Sequence, residues 1–122
     1  MIPEQKLKQQ LKYTLNKTDF KIGKKYEGKV RDNYSFDGKR LIITTDRISA
    51  FDRVLCSLPF KGQVLNQTAA FWFEKTKNIV SNHMISVPDP NALLARECKL
   101  IPVEMVVRGY LTGVTTTSAW YS

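Results

Sequence analysis

The sequence predicts an α+β domain, an antiparallel sheet with flanking helices. Three observations carry this reading. Residues 24–45 alternate with a period of two around an Asp37-Gly38 turn, residues 3–15 and 63–77 show helical spacing, and further short strand-like runs follow at 53–57, 83–87 and 99–110. A chain of 122 residues holds one such domain, and no linker, repeat or low-complexity tract divides it.

Residues 3–15 read as an amphipathic helix. Pro3 suits its first turn, Leu7, Leu11 and Leu15 recur every four residues, and Lys6, Lys8 and Lys12 take the other faces. The apolar stripe is narrow, so this helix is expected to pack on an edge. From Lys24 the period becomes two. Tyr26, Gly28, Val30, Asp32 and Tyr34 are expected on one face of a strand, Asp37-Gly38 turns the chain, and Leu41-Ile42-Ile43-Thr44-Thr45 returns as a buried strand. The charged stretch DRISAFDR follows at 46–53, then a short strand over Arg53–Ser57 closed by Pro59 and Gly62. Residues 63–77 place Leu65, Ala69, Trp72 and Phe73 on or beside one helical face. Strand character resumes over His83–Val87. Asp89-Pro90 predicts the cap and first turn of a short helix reaching Glu97, and Lys99–Tyr110 reads as a long strand broken near Pro102.

Composition narrows the function classes. No run of about 18 apolar residues occurs, which argues against a membrane-spanning helix, and the polar start MIPEQKLKQQLKY offers no export signal. A cytoplasmic location is expected, with both thiols reduced and Cys56 and Cys98 serving as small core residues. The net charge is +8, from 19 Lys and Arg against 11 Asp and Glu. Residues 1–40 carry 11 of the basic and 5 of the acidic side chains, so an anionic partner is expected to meet this first third. Nucleic acid and phosphorylated small molecules both fit that charge.

Three segments carry candidate chemistry. Gly28-Lys29-Val30-Arg31-Asp32 sets a glycine beside alternating cations, which suits a strand lying over a polyphosphate. It is no Walker loop, and a solvated strand face remains the open alternative. Thr45-Asp46-Arg47-Ile48-Ser49-Ala50-Phe51-Asp52 gathers two carboxylates, a guanidinium and hydroxyls just after a buried strand. A self-satisfied salt-bridged turn is its alternative. In EMVVRGYLTG, 104–113, Arg108 directly follows an apolar strand and is placed to receive an anion, or else to pair with Glu104. His83 has no ligand-spaced neighbour and reads as structural, and Phe71, Trp72 and Phe73 read as core.

Together these segments resemble the amino-terminal half of the SAICAR synthetase (phosphoribosylaminoimidazole-succinocarboxamide synthase) family. GKVRD at 28–32, TDRISAFD at 45–52, KG at 61–62 followed by LNQ and FWF, and IPVEMVVRGYLTG at 101–113 stand in the family's order across residues 24–120. The resemblance implies a two-lobed α+β ATP-binding fold related to kinases and ATP-grasp enzymes, of which residues 1–122 would be the amino-terminal lobe. It implies an ATP-dependent ligase of de novo purine synthesis that joins L-aspartate to the carboxylate of carboxyaminoimidazole ribonucleotide, with Mg²⁺ as cofactor and SAICAR, ADP and phosphate as products. Carried over by position, Gly28, Lys29 and Arg31 cover the phosphates, and Lys29 and Arg31 are the catalytic candidates. Leu100, Pro102 and Glu104 line the adenine pocket. Asp46, Arg47, Ser49, Asp52 and Arg108 face the imidazole nucleotide and aspartate. No metal ligand is expected in this chain.

Two departures accompany the resemblance. Many members read Gly-Ser-Ala-Trp after the RGY segment, whereas here Val114-Thr115-Thr116-Thr117 intervenes before Ser118-Ala119-Trp120. Ser118 or a threonine would then take the family serine's place on substrate. The family's second half, with its acidic metal-binding segments, is absent, and the ending Trp120-Tyr121-Ser122 looks cut. The expectation is therefore an amino-terminal lobe inactive by itself, with a bare apolar face that favours a homo-oligomer. Two other readings stand beside this one. A non-catalytic basic nucleic-acid-binding module would use residues 1–40, but no aromatic recognition motif supports it. A kinase-like phosphotransferase would need a catalytic loop that the sequence lacks.

Overall fold

A computed structural model describes residues 3–103, 105, 107, 109 and 110. The predicted fold class holds: two helices flank antiparallel sheets. A five-stranded sheet takes β1 (Lys24–Glu27), β2 (Arg31–Phe36), β3 (Lys39–Thr44), β6 (Met84–Asp89) and β7 (Ala92–Arg96), in the order β1-β2-β3-β7-β6. β4 (Arg47–Ala50) and β5 (Arg53–Ser57) form a separate hairpin. The helices are α1 (Glu4–Gln10) and α2 (Lys61–Thr76). Among the described residues no helix is long and apolar enough to cross a membrane.

The sheet register sorts side chains onto two faces. Asn33, Ile42 and Leu93 align across β2, β3 and β7, and so do Asp32, Ile43 and Ala92 on the other face. The second face holds the core of Tyr34, Ile43 and Ala92, with Leu15 and Leu41 packed against it. The first face meets α2, which packs on β3, β6 and β7. Its contact row is Gly62, Asn66, Ala69 and Phe73, spaced as one side of a helix. A Cβ at Gly62 would lie 2.2 Å from the Thr44 carbonyl oxygen and 2.4 Å from Asn91 Nδ2, so only glycine admits this close approach.

Several expectations change, each for an identifiable reason. The helix over 3–15 stops at Gln10 and gives way to a turn at 11–12, because the chain beyond it is tied down as a strap: Leu15 N–H donates to Asp46 Oδ2 (2.8 Å) and Thr18 N–H to Asp32 Oδ2 (2.7 Å). The single strand beginning at Lys24 is two strands. Glu27 pairs with Asp32, and residues 28–31 make the reversal between them, Arg31 as the first residue of β2, opposite Thr44. Tyr26 consequently sits opposite Asn33 and is 69% exposed, on the other face from Asp32 and Tyr34.

The helix expected over 90–97 is strand β7. Asp89 does accept a backbone N–H, but from Asn91 (2.8 Å) in a turn that sends the chain back along β6. Ala92, Leu93 and Ala95 are buried, and their pairing with β3 overrides the helical preference of alanine and leucine. Residues 99–103 carry no strand, and 104, 106 and 108 lie outside the described residues. Cys56 and Cys98 are exposed free thiols instead of core residues, and Leu65 and Trp72 are 41% and 59% exposed.

Candidate functional site

The 28–31 loop is set by short-range chemistry. Gly28 N–H donates to the Arg31 carbonyl (2.7 Å), closing the loop. A Cβ at Gly28 would sit 3.2 Å from that same oxygen, tighter than a side chain takes without displacement. The loop hangs over a cavity of about 660 Å³ between the first sheet face and α2. Lys29 and Arg31 line it from the loop, Ile42 and Leu93 from the sheet, and Phe73 from α2. The cavity therefore joins two cations to an apolar floor, a combination that fits a ligand with a flat apolar part and an anionic part.

A second cavity of about 600 Å³ adjoins the first, sharing Ile42 and His83 and running to Leu100 and Ile101. His83, read from sequence as structural, packs edge-on against Phe73 at 4.9 Å between ring centres. It also lines both cavities, so it is a wall residue as well as a packing one. Asn33, Ile42, Leu93 and His83 were not singled out as site residues. The period-two spacing of Arg31 and Asn33 was the available signal for Asn33, once Arg31 is taken as the residue that opens β2 after the reversal.

The TDRISAFD segment divides sharply. Thr45 is fully buried, and both its N–H (3.0 Å) and its Oγ1 (2.9 Å) donate to the Val30 carbonyl. Asp46 is 5% exposed; its Oδ2 accepts from Leu15 N–H and its Oδ1 from Gly62 N–H (2.9 Å), in the first turn of α2. Arg47 is 8% exposed and donates to the carbonyls of Asn16 (2.8 Å) and Gly28 (2.9 Å) and to Asp32 Oδ1 (3.0 Å). Neither Asp46 nor Arg47 lines the cavity. Burial pushes the Asp32 carboxyl up, but hydrogen bonds from Thr18 and the Arg47 guanidinium more than offset this and hold it below its ordinary value.

Ser49 lines the cavity. Phe51 and Asp52 form the tip of the β4–β5 hairpin, both with positive φ (48° and 64°), and Asp52 reaches back to pair with Lys29. Its hydrogen bond and charge hold the Asp52 carboxyl below the ordinary carboxylate value. Leu100 lines the second cavity and Pro102 is exposed. Glu104, Arg108 and Ser118 lie outside the described residues. The structure thus brings together Gly28, Lys29, Arg31, Ser49 and Asp52 and sets Asp46 and Arg47 behind them. Among the described residues no three Asp, Glu, His or Cys side chains are grouped so as to hold a metal ion, so no described residue is given a magnesium-binding role.

Fold and cleft together describe an α+β domain with a cationic loop over an apolar floor. The family model of SAICAR synthetase matches residues 24–120, and the chain belongs to that family. It is 55% identical over 108 residues to a phosphoribosylaminoimidazole-succinocarboxamide synthase of Legionella pneumophila (strain Lens), covering 88% of this chain and 35% of that protein. It is also 55% identical over 96 residues to the chloroplastic synthase of Vigna aconitifolia, covering 79% of this chain and 28% of that protein. The chain therefore spans about a third of the length of these relatives. Among solved structures, the SAICAR synthase of Saccharomyces cerevisiae complexed with SAICAR matches with a TM-score of 0.73 and 36% identity, over 81% of this chain and 42% of that one. A type-2 SAICAR synthetase in complex with ADP shares the fold, with a TM-score of 0.60 at 24% identity over 65% of this chain and 35% of that one.

Proposed function

We propose that the cavity-side face of the sheet binds ATP, with the phosphates under the 28–31 loop, as the nucleotide-binding lobe of a SAICAR-forming ligase of de novo purine synthesis. The observation that carries this is the convergence of Lys29 and Arg31 with Ile42 and Leu93 on one cavity. The apolar floor suits a purine, and the two cations suit a polyphosphate. The adjoining cavity, lined by Leu100 and Ile101, extends the apolar surface open to the base.

The reaction joins L-aspartate to the carboxylate of carboxyaminoimidazole ribonucleotide. A carboxylate resists attack by an amine until an oxygen is phosphorylated. Transfer of the γ-phosphoryl group from ATP makes an acyl phosphate and ADP; the aspartate amine then displaces phosphate and loses a proton. Lys29 and Arg31 hold the anions together and stabilise charge on the transferring group, which is the usual protein contribution to such a step. Magnesium, when bound, neutralises phosphate charge. Ser49 and Asp52 stand on the side where the second substrate would approach, while Asp46 and Arg47 form the frame behind. Glu104 keeps the adenine-side role, and Arg108 and Ser118 the substrate-side roles, that the family resemblance gives them.

Residues 1–122 form a single lobe on this reading, and carboxamide formation needs the remainder of the relatives' length. Turnover by the 122-residue chain alone would contradict that part. Leu55, Leu58 and Val64, each more than half exposed, make self-association the expected state. Light scattering that shows a clean monomer at roughly tens of micromolar would overturn it.

The direct test is titration of ¹⁵N-labelled chain with ATP and magnesium. Amide shifts at Gly28, Lys29, Arg31, Ile42 and Leu93 are expected, and an RNA oligonucleotide should not reproduce them. Shifts confined to the opposite face, around Ile43 and Ala92, would refute the placement.

A further inference from the structure

The loop that presents Lys29 and Arg31 has little of its own to hold it. Its one internal backbone bond is Gly28 N–H to the Arg31 carbonyl (2.7 Å). The remaining backbone carbonyls that fix it are gripped from beneath by a single segment. Thr45 takes the Val30 carbonyl with two donors, its N–H and its Oγ1. Arg47 takes the Gly28 carbonyl and the Asp32 carboxylate through Nη2. Its Nη1 holds the Asn16 carbonyl at 2.8 Å and lies 3.7 Å from Glu27 Oε1. Glu27 and Asp32 are the register pair that closes the loop. One buried guanidinium thus touches both stems of the loop, its first residue and the strap beside it.

We propose that Arg47, supported by Thr45, is a positioning residue: it fixes the 28–31 loop so that Lys29 and Arg31 stand over the cavity. This replaces the substrate contact expected for Arg47, and it rests on the reading of the cavity as a nucleotide site. The planar fork of arginine is what the position requires. Two Nη groups reach three acceptors on separate segments, and a lysine ammonium at the end of a flexible stem does not reproduce that spread. The cost is visible in the same side chain, whose Nε is buried without a partner. A guanidinium serving only stability would be better replaced by apolar packing. Here one side chain joins three segments, the strap, the 28–31 loop and β2, from its own place on β4.

Two variants test this on the 122-residue chain, Arg47→Met and Arg47→Lys, each with two readouts. Amide hydrogen exchange at Gly28 and Arg31 is compared with exchange at Ile42 and Leu93 in the same sample. Affinity for ATP is compared with affinity for adenosine. The expected result is faster exchange confined to the loop, ATP affinity down about tenfold, and adenosine affinity unchanged, with Arg47→Lys recovering only part of the loss. Uniform acceleration of exchange at loop and sheet alike would make Arg47 a general stability residue and overturn the proposal. So would unchanged loop exchange, or failure of both variants to fold. If the wild type binds neither ATP nor adenosine, the nucleotide reading fails, and the exchange comparison still decides the role of Arg47.

Discussion

Thr45, Asp46 and Arg47 are 0%, 5% and 8% exposed, whereas Phe51, four residues further on, is 98% exposed. The two halves of one charged octapeptide therefore do opposite things with the same chemical groups. Asp46 spends its carboxylate on the strap and on the first turn of α2. Asp52 sits in the open and pairs with the loop cation Lys29. The buried half builds the frame, and the other half reaches the cavity through Ser49 and its rim cation Lys29 through Asp52. Charge in a motif does not reveal which half meets ligand; burial and hydrogen-bond saturation do.

The comparison breaks most severely at the buried half. Asp32→Ala strands the Arg47 guanidinium in the interior and should destabilise the chain by about 3–5 kcal/mol, read by chemical denaturation. The same carboxylate gives a pH signature. Its folded-state value lies below its unfolded one, so its stabilisation is complete above the unfolded value of about 4 and is lost as the pH falls through the folded value. Asp32→Asn should remove that acid-dependent component from the unfolding profile, and an unchanged profile would show that Asp32 does not carry it. Next comes the seam between frame and helix. Gly62→Ala drives a methyl into the Thr44 carbonyl and Asn91, and a loss of about 1–3 kcal/mol is expected in a thermal melt despite alanine's helix preference.

At the exposed half, function should change without stability. Lys29→Ala should leave the melting temperature nearly unchanged and weaken ATP binding about tenfold, measured by titration. Asp52→Asn should have the smallest effect. It removes a carboxylate that competes with phosphate for Lys29, so ATP affinity should rise about twofold at low salt, and the gain should fade as salt screens the pair. A loss of ATP affinity in Asp52→Asn would show instead that Asp52 takes part in binding.

Much of the frame was legible in the residues. Asp37-Gly38 announced its hairpin, and the positive φ at both positions (47° and 67°) is what such a turn demands. The strand Arg53–Ser57 appears with the expected bounds, and α2 begins two residues earlier than its apolar spacing suggested. The hairpin at Phe51-Asp52 was hidden, because phenylalanine gives no signal for a left-handed turn residue. β7 was hidden because alanine and leucine favour a helix until neighbouring strands bury them. The loop at 28–31 was missed because Val30 and Arg31 preserve a two-residue alternation straight through a reversal of the chain.

The site followed the same pattern. From residue type alone Gly28, Lys29 and Arg31 stood open between an anion-facing group and a solvated strand face; in the folded chain all three line the first cavity. Arg47 was readable only as a cation. Its three acceptors lie on Asn16, Gly28 and Asp32, from 15 to 31 positions away, and only the folded chain brings them together.

The most direct test of the account is a pair of calorimetric titrations, ATP with magnesium and adenosine alone, against the wild type and the double variant Lys29→Ala/Arg31→Ala. Saturable ATP binding to the wild type, its loss in the double variant and equal adenosine binding by both are predicted. ATP binding of equal strength in both proteins, or none to the wild type, would contradict a triphosphate held under the 28–31 loop.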